Sequence, residues 1–200
     1  NAKVADMLPF KDQQDFEDAR RGLIASETDL KVKGPDGNLI WDQTAYQFIQ
    51  GEAPASVNPS LWRQAQLNDI HGLFKVTDGI YQLRGFDLAN MSIIQGQTGW
   101  ILVDPHTSEE TTAKALAFAR QHLGVKPVVA IIFTHSHVDH FGGAMAIMSA
   151  GEAQANKVRI IAPLGFMEEA TSENVIAGTA MSRRSLYMYG SQLPRSERGH

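Results

Sequence analysis

From about Leu73 onward the chain alternates short apolar runs with turn-forming residues, the runs falling at 79–83, 91–95, 100–103, 128–133 and 158–161. Runs of this length, rich in Val, Ile and Leu and bounded by Gly, Pro or Asp, predict strands. The first two are joined across Arg84-Gly85-Phe86-Asp87, and the second and third flank Gly96-Gln97-Thr98-Gly99, so the opening reads as an antiparallel meander. The later strands are separated by helices. Thr107 followed three positions on by Glu110 forms a capping-box pattern. Ala113, Leu116, Ala117 and Leu123 then recur at helical spacing, and Gly124 and Pro127 close the segment. Hairpins followed by β-α-β units predict an α/β (α+β) domain, a mixed sheet covered by helices.

Residues 1–70 have a different texture, mixed and polar. They carry one amphipathic helix predicted around residues 13–25 and turn punctuation at Lys33-Gly34-Pro35-Asp36-Gly37. This portion is expected to be an arm that wraps the domain formed by 71–200. Trp41 and Trp62 are expected to anchor the arm against the core, the usual role of a large aromatic in such a stretch. The polar ending Leu193-Pro194-Arg195-Ser196-Glu197-Arg198-Gly199-His200 reads as a surface loop. An end of that kind is unusual for a catalytic domain, so the chain is expected to be part of a longer protein.

Composition narrows the chemistry. A formal charge of −4 and a pI near 6.0 provide no concentrated positive patch for nucleic acid or an anionic membrane, so neither is expected as a partner. No apolar run reaches the roughly 18 residues of a transmembrane helix. With no cysteine, the chain can form no thiolate metal site, and any zinc must rest on imidazole and carboxylate.

The stretch that carries chemistry is Val128-Val129-Ala130-Ile131-Ile132-Phe133-Thr134-His135-Ser136-His137-Val138-Asp139-His140-Phe141-Gly142-Gly143. Its apolar run suits a strand buried on both faces, and the polar cluster begins where that strand ends. Strand ends are where sites form in open α/β sheets. In an extended segment His135 and His137, two apart, project to the same side and can share one metal. Asp139 and His140 enter the following turn and suit a second metal. Two cations about 3.5–4 Å apart can hold a shared hydroxide, polarise an anionic substrate and stabilise a leaving oxygen. Gly142 and Gly143 remove side chains where the turn approaches the metals. Three histidines and an aspartate within six positions, attached to a hydrophobic strand, fit neither chance nor a histidine-rich sponge.

The remaining candidates carry less signal. Asp104, ending the run 100–103, is either the hydrogen-bond partner of a ligand histidine or a plain turn residue. His106 is expected to be a loop histidine without function, and His71, His122 and His200 to be solvated. Arg183 and Arg184, with Tyr187 and Tyr189, could meet a sulfate through their guanidinium forks, although a basic helix face is the commoner explanation.

Thr134-His135-Ser136-His137-Val138-Asp139-His140-Phe141-Gly142-Gly143 resembles the H-x-H-x-D-H signature of the metallo-β-lactamase superfamily. The flanking text is similar to one branch of it, the secreted or periplasmic bacterial alkyl-sulfatases that degrade dodecyl sulfate. It comprises Asn58-Pro59-Ser60-Leu61-Trp62-Arg63-Gln64, Gly72-Leu73-Phe74-Lys75-Val76-Thr77-Asp78 and Tyr81-Gln82-Leu83-Arg84-Gly85-Phe86-Asp87 before the motif. After it come Ile161-Ala162-Pro163-Leu164-Gly165-Phe166-Met167, Ser172-Glu173-Asn174-Val175-Ile176-Ala177-Gly178 and Met181-Ser182-Arg183-Arg184. The resemblance implies a metallo-β-lactamase-like αββα sandwich of which this chain supplies the N-terminal half. It implies two Zn2+ per complete site, with His135 and His137 on the first and Asp139 and His140 on the second. The remaining ligands, glutamates and one more histidine, would lie beyond residue 200. It further implies a homodimer in the full-length protein, whose later parts include a helical dimerisation region and a sterol-carrier-like domain, and a periplasmic or secreted location.

The activity so implied is zinc-dependent hydrolysis of alkyl sulfate esters to alcohol and sulfate by metal-activated water. Attack at carbon and attack at sulfur both stay open, and no residue is assigned as a general acid or base. The alternatives are another hydrolase of the superfamily, acting on a lactam, lactone or thioester, and a non-catalytic metal-binding fragment. Such an N-terminal half is expected to leave an apolar face uncovered.

Overall fold

A computed structural model describes residues 1–190 and Gln192. Two short helices open the chain, α1 (Ala2–Met7) and α2 (Gln14–Arg20), followed by strands β1 (Leu23–Ala25), β2 (Lys31–Lys33) and β3 (Leu39–Asp42). Helix α3 (Pro59–Asn68) leads into the meander β4 (Gly72–Thr77), β5 (Ile80–Arg84), β6 (Met91–Gln95) and β7 (Trp100–Val103). Next come α4 (Glu109–Leu123), β8 (Val128–Ile132), α5 (Ala150–Ala155), β9 (Arg159–Ile161), α6 (Phe166–Thr171) and α7 (Gly178–Met188), with a π-turn over Ser172–Ile176 between the last two. His200 and the polar ending from 193 lie outside the described residues.

One seven-stranded sheet runs β1-β4-β5-β6-β7-β8-β9, antiparallel up to β7 and parallel through β8 and β9, and β2 and β3 form a separate antiparallel pair. The predicted meander is therefore present, extended by β4 and β1. The predicted helix over 13–25 is present but shorter: it ends at Arg20, because Gly22 has a left-handed φ of 77° and sits against the backbone of Lys75, whose N–H donates to the Gly22 carbonyl at 2.7 Å. Leu23–Ala25 then pairs with β4 as an edge strand. No residue of α2 is buried, and it rests on α3, whose Arg63 guanidinium lies 4.8 Å over the Phe16 ring.

The core lies between the sheet and α4. Leu73, Leu83, Met91, Ile93, Trp100, Leu102 and Ile131 come from the strands, and Ala115, Leu116, Phe118 and Ala119 from the helix. Each large apolar side chain buried in this way contributes about 1.5–3 kcal/mol. The first 70 residues add Leu30 and Val32 to the same cluster, and Lys114 of α4 pairs with Glu27 at 2.6 Å. As expected, Trp41 anchors the arm, its indole donating to the Gly85 carbonyl at 2.8 Å, whereas Trp62 stays within the arm, its indole donating to the Gly51 carbonyl at 3.0 Å. His71 is not solvated, because its two ring nitrogens lie against the carbonyls of Asp69 at 2.8 Å and Glu27 at 2.9 Å. His122 is exposed, with its ring against Phe118. Beyond β9, Leu164, Met167, Val175, Ile176 and Tyr187 are exposed apolar side chains. Arg183 and Arg184 lie on α7 beside them, both exposed.

Candidate metal centre

Strands β7 and β8 are parallel neighbours, with Val103 beside Ile132, so both release their chains at one edge of the sheet. The Asp104 N–H extends the ladder by donating to the Ile132 carbonyl at 3.0 Å. From there Asp104, buried and at a left-handed φ of 55°, turns its carboxylate onto the other loop. Its Oδ1 accepts from the Thr134 N–H at 2.8 Å, and its Oδ2 accepts from the Thr134 hydroxyl at 2.7 Å. These bonds divert the chain out of the strand direction immediately after Phe133. Residues 134–136 bend, and Val138–His140 closes a 3-10 turn in which the His140 N–H donates to the His137 carbonyl at 3.0 Å.

This corrects the expected reason for the convergence of the histidines. They do not alternate along an extended segment; the bend and the following turn fold them together. The ring centroids of His135 and His137 are 4.6 Å apart, and those of His135 and His140 are 4.0 Å apart.

Hydrogen bonding fixes which nitrogen is free in the neutral rings of His135 and His140. An ionised carboxylate only accepts, so the 2.9 Å contact of His140 Nδ1 with Asp104 Oδ2 places a proton on Nδ1 and leaves Nε2 with a bare lone pair. The Thr134 hydroxyl has already given its single proton to Asp104. At 3.0 Å from His135 Nδ1 its oxygen must therefore accept, which leaves His135 Nε2 bare as well. His137 Nε2 lies 3.2 Å from Glu173 Oε1. Backing one nitrogen of an imidazole with an oxygen acceptor, and leaving the other unprotonated, is how proteins prepare histidine to bind metal.

Asp139 supplies the further test of fit. Its Oδ2 stands 3.4 Å from His140 Nε2, a carboxylate oxygen and an imidazole nitrogen close enough to address one cation. Imidazole nitrogen and carboxylate oxygen are a donor set that zinc accepts. His135, His137, Asp139 and His140 thus have the donor chemistry for a metal, although among the described residues no group of three or more such side chains is arranged to hold an ion.

Behind the metal loop lies a network that the sequence did not reveal. Asp87, buried in the β5–β6 connection, accepts from the Leu88 N–H at 2.5 Å, from the Thr107 hydroxyl at 2.6 Å and N–H at 3.2 Å, and from the Thr111 hydroxyl. Thr107 is therefore not the helix cap. Ser108 caps α4, its Oγ accepting from the Thr111 N–H at 3.2 Å. A cavity of about 540 Å³ opens on the arm side of Asp87, between Trp41, Tyr46, Phe48 and Leu88, and none of the four candidate ligands lines it.

His106 is not a solvated loop residue. It is wholly buried at a left-handed φ of 48°, and among the described residues neither ring nitrogen has a partner. Burial pushes its pKa down to about 4, opposed by the Asp87 charge and assisted by His140. Below its unfolded value near 6.5 the unfolded chain takes a proton that the native chain refuses. Stability is therefore lost as pH falls from about 6.5 towards 4, by roughly 3 kcal/mol at about 1.4 kcal/mol per unit. Melting chelator-treated protein between pH 7.5 and 4.5 should show a His106→Leu variant losing distinctly less Tm than the parent. Parallel curves would remove His106 from the explanation.

Along 100% of its length the chain is 50% identical to an alkyl/aryl-sulfatase, BDS1, of Saccharomyces cerevisiae. Over 96% of its length it is 53% identical to a linear primary-alkylsulfatase of a Pseudomonas species. It superposes on the solved structure of the stereoselective inverting sec-alkylsulfatase Pisa1 from Pseudomonas sp. with a TM-score of 0.90, at 50% identity over 98% of the chain. The chain spans only 31%, 29% and 31% of these three proteins, respectively. Residues 84–196, from the end of β5 through the metal loop and beyond, match the metallo-beta-lactamase superfamily, and with more than half of its length inside that match the chain belongs to this superfamily.

Proposed function

We propose that the whole protein hydrolyses alkyl sulfate esters to alcohol and sulfate and depends on two zinc ions, the first held in part by His135 and His137 and the second in part by Asp139 and His140. The observation that carries this reading is the 50–53% identity, extending over nearly all of the chain, to proteins named as alkylsulfatases, metal loop included. When bound, such ions supply Lewis acidity, polarising an ester oxygen and easing loss of a proton from water at neutral pH.

The chain's own contribution is preorganisation. Asp104 and Thr134 hold the protons on the outer nitrogens of His140 and His135, so the inner lone pairs meet an ion without first being stripped. Asp139 adds a carboxylate beside His140 Nε2 and lowers the net charge of the loaded site.

Treating the full-length protein with a strong chelator should abolish hydrolysis of dodecyl sulfate, and zinc should restore it. Elemental analysis should find two zinc ions per chain. Turnover that survives complete metal removal would refute the metal dependence. A panel with nitrocefin and a thioester separates the branches of the superfamily: turnover of these without dodecyl sulfate would refute the sulfatase assignment. Export to the periplasm or medium and assembly as a homodimer belong to the same proposal, and fractionation and light scattering on the full-length protein test them.

A further inference from the structure

Glu173 was not singled out as a site residue by sequence pattern, and its place follows from packing. Phe133 precedes the metal loop and Phe141 follows it, and both rings pack on Phe166 at the start of α6, at centroid distances of 5.5 and 5.2 Å. Aromatic contacts of this kind contribute about 0.5–1.5 kcal/mol each beyond area burial, so α6 is seated on both flanks of the loop. The helix then widens into the π-turn Ser172–Ile176, closed by the Ala177 N–H donating to the Ser172 carbonyl at 2.9 Å. Such turns are costly and concentrate at functional positions, because one extra residue re-aims the side chains around it. The side chain so placed is Glu173, whose Oε1 is 3.2 Å from His137 Nε2.

The other two histidines of the loop each have an oxygen acceptor behind one nitrogen, the Thr134 hydroxyl for His135 and the Asp104 carboxylate for His140. We propose that Glu173 is the third such acceptor, a positioning residue that, once the ring of His137 turns to align their present 3.2 Å ion-pair contact, takes the Nε2–H of His137 and thereby presents Nδ1 to the metal. This rests on the reading of His137 as a ligand. It assigns the π-turn a purpose: it links the geometry of the loop to α6 and α7 through one carboxylate.

The test is competitive zinc titration of the full-length protein against a chromophoric chelator, for the parent, Glu173→Ala and Glu173→Gln, with the visible spectrum of the Co2+ form recorded for each. Loss of a carboxylate behind a ligand histidine costs about 10–100-fold in metal affinity, and Glu173→Ala should show that loss with two ions still bound. Glu173→Gln keeps an acceptor oxygen and should recover most of the affinity along with the parent Co2+ spectrum. Affinity and spectrum unchanged in Glu173→Ala would overturn the proposal. So would loss of one ion per chain from Glu173→Gln and Glu173→Ala alike, which would make Glu173 itself a ligand. A parent protein that binds no zinc would overturn the metal centre as a whole, an outcome distinct from either.

Discussion

Replacing Asp104 by alanine should lower zinc affinity about 10–100-fold and reduce sulfate-ester hydrolysis at limiting zinc in proportion. The reason is the number of jobs held by one carboxylate. Asp104 accepts from the Thr134 N–H, the Thr134 hydroxyl and His140 Nδ1, and it reaches His135 indirectly through that hydroxyl. Without it the loop loses the bonds that divert it from the line of β8, and two of the three imidazoles lose control of their tautomers. Stability should fall by about 2 kcal/mol, the scale of hydrogen bonds to a charged group. Asparagine is the sharper probe. It has one acceptor oxygen where three donors converge, so its NH2 must face either the Thr134 N–H or His140 Nδ1–H. The second arrangement drives the proton of His140 onto Nε2, where the metal should bind. Asp104→Asn should therefore fold nearly as well as the parent yet bind zinc about as poorly as Asp104→Ala. Zinc affinity in Asp104→Asn equal to that of the parent would show that the tautomer of His140 is not set here.

The parts of this arrangement that are legible in the sequence are those written locally. The strands at Met91–Gln95 and Trp100–Val103 show themselves because their apolar residues alternate or run unbroken between turn residues. The metal loop shows itself because its four donors occupy six consecutive positions after a buried strand. Asp104 is half legible: a strand-end aspartate is visible, but its partner lies in another loop. Asp87 and Glu173 are not legible, since nothing near Asp87 announces Thr107 and Thr111, and nothing near Glu173 announces His137. The same limit explains the errors. A helical period over 13–25 cannot reveal that Gly22 must lie against Lys75 of a later strand, and a Thr107–Glu110 pattern cannot reveal that Asp87 claims the threonine. The strands β1 and β2 have three residues each, too few for a period of two to register.

Gly143→Ala should be strongly damaging. Its N–H is shared between the carbonyls of Pro105 at 3.1 Å and His106 at 3.0 Å, which pins the end of the metal loop to the start of the α4 connection. A Cβ at this position would lie well inside van der Waals contact of Thr112 Oγ1 and of the Ser108 and Pro105 carbonyls. Two of those three neighbours are backbone, and the third is a buried hydroxyl donating to the Pro105 carbonyl at 2.8 Å, so none can swing aside. The Pro105–Ser108 connection is itself held from behind by Asp87 through Thr107. Overpacking typically costs about 1–3 kcal/mol, and a site with rigid neighbours on every side belongs at or above the top of that range. Relief can come only by moving 141–143 away from α4, and that displaces His140 from Asp104. Zinc affinity should consequently fall along with Tm in Gly143→Ala, whereas an alanine at Gly151, inside α5 where a Cβ meets nothing within 4 Å, should leave zinc affinity unchanged and raise Tm slightly. A Gly143→Ala protein that melts and binds zinc like its parent would mean that the two loops are not locked together as the structure places them.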